Sequence, residues 1–112
     1  MDKQLLALHI LAESTQHLNL VRGKPCMISN NECMGSVVPA HLKTVGAGCD
    51  RKRPSFKHFA TVPLCNIHHM EQEGHTRRFE RKYQVDLALY AMQLMIETLT
   101  GNEACWHNHR GW

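Results

Sequence analysis

The sequence contains no long hydrophobic run, since no apolar stretch approaches the roughly 18 to 20 residues that cross a bilayer. The run from Leu5 to Leu11 is short, contains His9, and lacks both a basic start and a small-residue cleavage site. It is therefore not typical of a signal peptide. We expect a soluble protein in a reducing cytoplasm, with no membrane partner.

The chain is also short, at 112 residues. We expect a single domain, 1–112, that buries only part of its apolar surface on folding. Such a domain needs disulfides or a metal ion to stabilise it, and five cysteines and nine histidines could supply either. Where the cytoplasm is reducing, cysteines near histidines are more often metal ligands than disulfide partners, so we favour a metal.

The net charge is only +3, but the positive charge is concentrated in one segment. Residues 43–82 carry nine Lys or Arg against four acids, which gives a net charge of +5. Residues 1–42 balance three bases against three acids, and residues 83–112 have one base against three acids. A basic zone suits a polyanionic partner, although a solvated basic surface explains the charge equally well.

The residue pattern predicts a helix near each end of the chain. Residues 3–12 are rich in Leu and Ala, and Leu5, Leu8 and Ala12 can line one packing face. The clearest helix spans about residues 86–100, where Asp86 can cap the start and a glycine follows the end. We expect its apolar stripe in the core: Leu87, Tyr90, Ala91, Leu94 and Met95.

Between these helices the sequence predicts loops, two short strands and two short helices. Gly, Pro, Asn and Ser dominate 23–35, which indicates a loop shaped by whatever its cysteines bind. The strands and short helices are expected at 36–41, 59–64, 66–73 and 76–83. In the tail, 102–112, Cys105, His107 and His109 could bind a metal or a partner, although packing through the tail's Trp residues is the simpler account.

Four residues could hold a structural zinc ion. Six residues lie between Cys26 and Cys33, a wider spacing than most zinc knuckles have. Cys65 and His68 are a stronger signal, because two ligands separated by two residues at a strand-to-helix turn can present thiolate and imidazole to one tetrahedral ion. Together they form a Cys₃His set. The alternative is ordinary buried cysteines beside a solvent-facing histidine.

His69 directly follows His68, and successive helical residues point about 100° apart. The two imidazoles therefore cannot easily bind the same ion. If His68 completes a zinc site, His69 faces another direction, where Glu73 shares its helical face and His75 lies just past the helix end. This arrangement predicts a second cation site, unless His69 is simply a polar surface residue.

Three stretches together resemble a known family: PAHLK at 39–43, GAGCDRKRP at 46–54 and FATVPLCNIHHMEQEG at 59–74. They are similar to the phage and prophage HNH nucleases (the ββα-metal or His-Me finger class), especially the small prophage nucleases and the recombination-enhancing phage nuclease. The resemblance covers about residues 24–83. It implies an α+β fold, in which a zinc-stabilised ββα-metal core carries flanking N- and C-terminal helices.

The resemblance also implies a metal-dependent DNA endonuclease or nickase. By position, His41 would be the general base, and His58 would orient that base or help to bind metal. His69 would hold the catalytic cation, with Glu73 and His75 as further candidate ligands. That cation is expected to be Mg²⁺ or Mn²⁺, with Zn²⁺ or Ni²⁺ as alternatives, beside the structural Zn²⁺.

DNA is the partner that the resemblance implies, in a bacterial host cell and in recombination or DNA processing. The basic side chains expected to hold its backbone are Lys43, Arg51, Lys52, Arg53, Lys57, Arg77 and Arg78. A homodimer, and phage or host recombination proteins as partners, stay open. Many HNH enzymes carry Asp or His where this chain has Ala40, so a zinc-stabilised DNA-binding or adaptor module without cleavage is the alternative function.

Overall fold

The computed structural model describes residues 2–43 and 52–101, and the predictions for Arg51 and for the tail after Gly101 lie outside these ranges. The elements are α1 (Lys3–Arg22), β1 (Val38–His41), a 3₁₀ turn (Phe56–Phe59), β2 (Thr61–Leu64), α2 (Asn66–Gln72), α3 (Thr76–Tyr83) and α4 (Leu87–Thr100). Four helices and a two-stranded sheet form a small α+β fold. Within the described ranges, no helix is long and apolar enough to cross a membrane.

Helix α1 is longer than the sequence predicted. It ends at Arg22 rather than near Ala12, and Asp2 caps its start by accepting a hydrogen bond from the backbone N–H of Gln4 at 2.8 Å. The additional half carries the buried side chains of the helix: Ser14, His17, Leu18 and Val21. Their spacing places them on one helical face, but two of the four are polar, so an apolar pattern did not reveal that face.

The predicted packing face of α1 was also wrong. Leu5 and Leu8 are 63% and 62% exposed, whereas Leu18 and Val21 are buried. The helix packs against the 3₁₀ turn, α4 and the sheet, and these neighbours cover its second half. Which part of a helix is buried therefore depended on where distant elements lie, and not on the apolar content of the helix itself.

The two strands pair in an antiparallel hairpin. Ala40 lies opposite Val62 and His41 lies opposite Thr61. The backbone N–H of Leu42 continues the ladder by donating to the carbonyl of Ala60 at 2.9 Å. Each strand begins two residues later than predicted, at positions 38 and 61. Before β2 the reason is the 3₁₀ turn, whose start is capped by the Ser55 hydroxyl.

The segment after the hairpin follows the predicted pattern closely. Helix α2 starts directly after Cys65 and ends at Gln72, one residue earlier than predicted, and Gly74 follows with a left-handed φ of +79°. Helix α3 has the predicted bounds. At α4, the Asp86 carboxylate accepts from the backbone N–H of Leu89 at 3.0 Å, and Gly101 ends the helix at φ of +71°.

The hydrophobic core joins the sheet to the flanking helices. Its most deeply buried apolar side chains are Val21, Ala40, Leu42, Val62, Leu64, Phe79 and Leu87. They come from α1, from both strands and from α3 and α4. Helix α2 packs on the hairpin and on α3. The hairpin and the helix that follows it thus form a ββα unit, and the terminal helices α1 and α4 pack against its sheet and against each other.

Candidate functional site

Four potential metal ligands meet beneath the hairpin. The sulfur atoms of Cys26, Cys33 and Cys65 and a ring nitrogen of His68 all lie within 4.8 Å of one another. Two ligands come from the loop before β1 and two from the β2–α2 turn. Backbone hydrogen bonds join these segments, from Met27 N–H to the carbonyl of Pro63 at 2.9 Å and from Asn66 N–H to Met34 at 3.1 Å. This group could hold a metal ion such as zinc.

The distances suit a tetrahedral ion. The Nδ1 atom of His68 lies 3.5 Å from the sulfur atoms of Cys26 and Cys33, and 3.1 Å from that of Cys65. In a tetrahedral zinc site, ordinary Zn–S and Zn–N bond lengths separate sulfur from nitrogen by about 3.6 Å. The donor set, three thiols and one imidazole with little exposure to solvent, is also one that zinc prefers.

The thiol of Cys65 is prepared for the thiolate form that metals bind. Burial raises its pKa, but backbone hydrogen bonds from His68 and Met34 oppose this effect, and the resulting pKa is about 6. Burial raises the pKa of Cys33. A cation at the centre of the cluster would favour the deprotonated form of every thiol, because metal binding releases the thiol protons.

Aromatic side chains surround the ring of His68. Tyr83 and Phe79 meet it edge-on, with ring centroids 5.4 and 6.4 Å from that of His68. The Tyr83 hydroxyl donates to Glu71 at 2.5 Å, and Lys82 contacts the same carboxylate. The hydrogen bond from Lys82, followed by that from Tyr83, lowers the pKa of Glu71. These hydrogen bonds hold Tyr83 in place, and its ring packs against His68, a candidate metal ligand.

A second histidine pair lies at the end of β1. The Nε2 atom of His41 is 3.1 Å from Nδ1 of His58, and Nε2 of His58 is 2.7 Å from the carbonyl oxygen of Arg53. His58 is fully buried in the 3₁₀ turn, while His41 is partly exposed. Both ring nitrogens of His58 thus contact protein atoms, which favours an orienting role over a ligand role for this residue.

The hydrogen-bond network assigns the tautomers of this pair. A carbonyl oxygen only accepts, so Nε2 of His58 carries the hydrogen that it donates to Arg53. In a neutral ring Nδ1 then accepts, and the donor to it is Nε2 of His41. Neutral His41 therefore has its basic lone pair on Nδ1. A partly exposed imidazole fixed in one tautomer has the chemistry of a general base.

Helix α1 supports the turn that carries His58, a contribution that the sequence reading missed. The backbone N–H of Ser55 donates to the hydroxyl of Ser14 at 3.0 Å. The ring of His17 lies 4.8 Å from that of Phe59. Ser14 and His17 are both fully buried. The signal available in the sequence was the helical spacing of these two polar side chains, which a search for apolar periodicity does not detect.

His69 lies apart from the cysteine cluster, as the 100° rotation between helical neighbours requires. Its side chain is 27% exposed, and its Nε2 atom is 3.7 Å from a carboxylate oxygen of Glu73. Lys43 donates to the other oxygen of Glu73 at 2.8 Å, and this bond lowers the pKa of that carboxyl. Within the described ranges, no third His, Cys, Asp or Glu joins this pair in a ligand group.

Lys43 follows the end of β1, two residues after His41. Because Lys43 contacts Glu73, it connects the end of β1 to the His69–Glu73 pair.

The other described site residues that the sequence predicted lie in two places. His75 lies at the start of α3 and lines a surface groove together with Lys43, Arg77 and Arg78. The remaining described basic residues of the predicted DNA contact, Lys52, Arg53 and Lys57, are exposed near the 3₁₀ turn.

The comparison with known families is informative about the extent of the unit. One family model, described as "Protein of unknown function (DUF968)", matches residues 9–101. The chain belongs to the DUF968 family. The match begins within α1 and ends at the glycine that terminates α4, so the DUF968 unit includes the flanking helices as well as the hairpin and the cysteine cluster. No curated protein and no solved structure matches the chain.

Proposed function

We propose that this DUF968 protein is a metal-dependent DNA endonuclease or nickase of the HNH type, of phage or prophage origin, that hydrolyses phosphodiester bonds. The observation that carries the proposal is the His41–His58 pair. The His41 imidazole at the end of β1 is hydrogen-bonded to the His58 imidazole, which in turn donates a hydrogen bond to the carbonyl of Arg53. A phosphodiester needs a water molecule activated near neutral pH, and an oriented imidazole is suited to that task.

The chain's own residues account for the proton transfer. The imidazole of His41 takes a proton from the water whose oxygen attacks phosphorus, and the P–O bond to the leaving oxygen breaks. Nδ1 of buried His58 accepts a hydrogen bond from Nε2 of His41, and so keeps the base in one orientation while its charge changes. The Arg53 carbonyl in turn holds His58. Helix α1 stiffens this arrangement through Ser14 and Ser55.

The different surroundings of His68 and His69 support the same function. His68 is buried among the cysteines, where a zinc ion would brace the hairpin and α2, and His69 is partly exposed beside Glu73. Mg²⁺ in nucleotide enzymes often uses only one or two protein ligands, with water and phosphate oxygens completing its shell. A divalent cation held through His69 and Glu73 would stabilise charge on the phosphate and on the leaving oxygen.

The test is a nicking assay on supercoiled plasmid with Mg²⁺ or Mn²⁺. We expect the wild-type protein to nick the plasmid, and His41→Ala to lower the rate at least about 100-fold, the lower range for loss of a general base. The matched control is His9→Ala, which removes an exposed imidazole from α1. Zinc content should be equal in all three proteins. Unchanged nicking by His41→Ala would refute the assigned base.

One observation favours a second candidate function. The residue before His41 is Ala40, which is fully buried and offers no ligand atom. The absence of a ligand atom at this position fits a zinc-stabilised DNA-binding or adaptor module that does not cleave DNA, because such a module needs no catalytic cation. It predicts salt-sensitive DNA binding with no nicking under any divalent cation. Robust nicking that depends on His41 would exclude it.

A further inference from the structure

A concave groove lies between the end of β1 and the start of α3, with a volume of about 540 Å³. It is lined by Lys43, Gly74, His75, Thr76, Arg77, Arg78 and Arg81. Four of these seven residues are Lys or Arg, one is His and none is acidic. From the sequence, only Lys43, Arg77 and Arg78 were expected to contact DNA, and His75 was expected to bind the cation.

The three arginines of the groove share one side of α3. Arg77 and Arg81 are four residues apart, which places them on the same helical face, and Arg78 is adjacent. All three are exposed. In the part of the chain that the structure describes, none of them forms an ion pair with an acidic side chain. Their charge is available to an external anion.

The acidic side chains near the groove have other partners. Glu73 pairs with Lys43 at 2.8 Å, and Glu71 pairs with Lys82 at 2.5 Å. The carboxylate of Glu80 in α3 accepts a hydrogen bond from the backbone N–H of Leu87, the first residue of α4, at 2.9 Å. Among the described residues, none of these three carboxylates forms an ion pair with an arginine of the groove. A concave basic surface raises the local concentration of polyanions.

We infer that this groove binds the backbone of double-stranded DNA beside the reacting phosphate and does so without reading base sequence, an inference that rests on the proposed function. The groove adjoins the proposed cation ligands, because Lys43 lines it and also contacts Glu73, the neighbour of His69. Planar guanidinium groups match phosphate oxygens in a two-pronged geometry. Phosphates that flank the cleaved bond are thus the natural occupants.

The lining also distinguishes duplex from single-stranded DNA. Surfaces that bind single strands combine positive charge with aromatic side chains, on which unpaired bases stack. No Phe, Tyr or Trp is among the described residues that line this groove. A positively charged groove without aromatic side chains favours the form of DNA with the higher charge density, which is the duplex.

The test measures binding separately from cleavage, by fluorescence anisotropy without added Mg²⁺ or Mn²⁺. The probes are two duplexes of unrelated sequence and one single strand of the same length. The key variant replaces Arg77, Arg78 and Arg81 by Ala together, and a second variant replaces all three by Lys. The control, Arg22→Ala, removes one exposed charge from the end of α1. Zinc content and circular dichroism establish that every variant is folded.

We expect the slope of log affinity against log salt to fall by about 0.9 per arginine removed, and so by about 2.7 in the triple Ala variant. Between 50 and 200 mM salt, the wild type then loses roughly 40-fold more affinity than this variant. The Lys variant, which keeps the charge, and Arg22→Ala should retain the wild-type slope. Both duplexes should bind equally, and more tightly than the single strand.

The outcomes separate this inference from the proposed function. An unchanged slope in the triple Ala variant overturns the inference that the groove binds DNA, even if the wild type nicks plasmid. Preference for the single strand, or for one duplex sequence, overturns the duplex-backbone assignment. If the arginines set the slope but no cation supports nicking, the groove stands and the proposed nuclease activity fails.

Discussion

His17 allows the effect of burial on acid stability to be tested at one residue. The side chain is fully buried on α1, and its Nδ1 atom lies 2.6 Å from the hydroxyl of Thr98. Its Nε2 atom has no hydrogen-bond partner among the described residues. Burial, with a smaller electrostatic contribution from nearby His58, lowers the pKa of His17 from 6.5 to about 4.

The direction and size of the effect follow from that pKa. Well above pH 6.5 the ring is neutral in both the folded and the unfolded chain, so its titration does not change stability with pH. Between pH 6.5 and 4 the unfolded chain binds the proton first, and the free energy of unfolding therefore falls as the pH falls. From pH 7.5 to pH 5.0, a histidine with these two pKa values lowers the free energy of unfolding by about 2 kcal/mol.

The assay is urea denaturation at pH 7.5 and pH 5.0, with zinc at one fixed concentration. His17→Gln removes the titrating group and keeps a polar atom near Thr98. Over this pH interval, we expect the wild type to lose about 2 kcal/mol more than the variant. Acid-sensitive groups common to both proteins, including the cysteine cluster, cancel in the difference. His9→Gln, at an exposed position, should behave as the wild type does. An equal loss in wild type and His17→Gln would refute the reasoning.

Two further predictions concern the loop before β1. Cys26→Ser should lower zinc affinity by more than the roughly 10- to 100-fold that loss of an outer hydrogen-bond partner costs, as measured by competition with a chromogenic chelator. Asn31→Ser, at an exposed position of the same loop, is the control. At Gly35, with φ of +80°, an added Cβ would lie 2.3 Å from the Asn66 amide, so Gly35→Ala should cost about 1 to 3 kcal/mol in urea unfolding. Gly74→Ala, at nearly the same φ but in open space, should cost less, and equal losses would show that the contact is unimportant.

Local chemistry made part of this site predictable. Cys65 and His68 are three positions apart at the start of one helix, so their convergence depends on a single turn of backbone. The caps of α4, Asp86 and Gly101, are likewise interactions between near neighbours. The separation of His68 from His69 follows from helical geometry alone. Such features could be read from the sequence because each depends on residues a few positions apart.

Contacts between distant segments could not be predicted in this way. His41 and His58 are 17 positions apart, and no local pattern specifies that their rings meet. The arginine groove needs the end of β1 beside the start of α3, and the support of His58 needs Ser14, 41 positions from Ser55.

The α+β class and the helices α2 to α4 could be predicted from the sequence, as could the four cysteine and histidine side chains that could hold a metal. The folded chain was needed to show which half of α1 is buried and which ring contacts His41. It was also needed to show where the arginine side chains of α3 form a groove with Lys43. Burial and side-chain pairing depend on which elements pack together, whereas periodicity and capping act within one element.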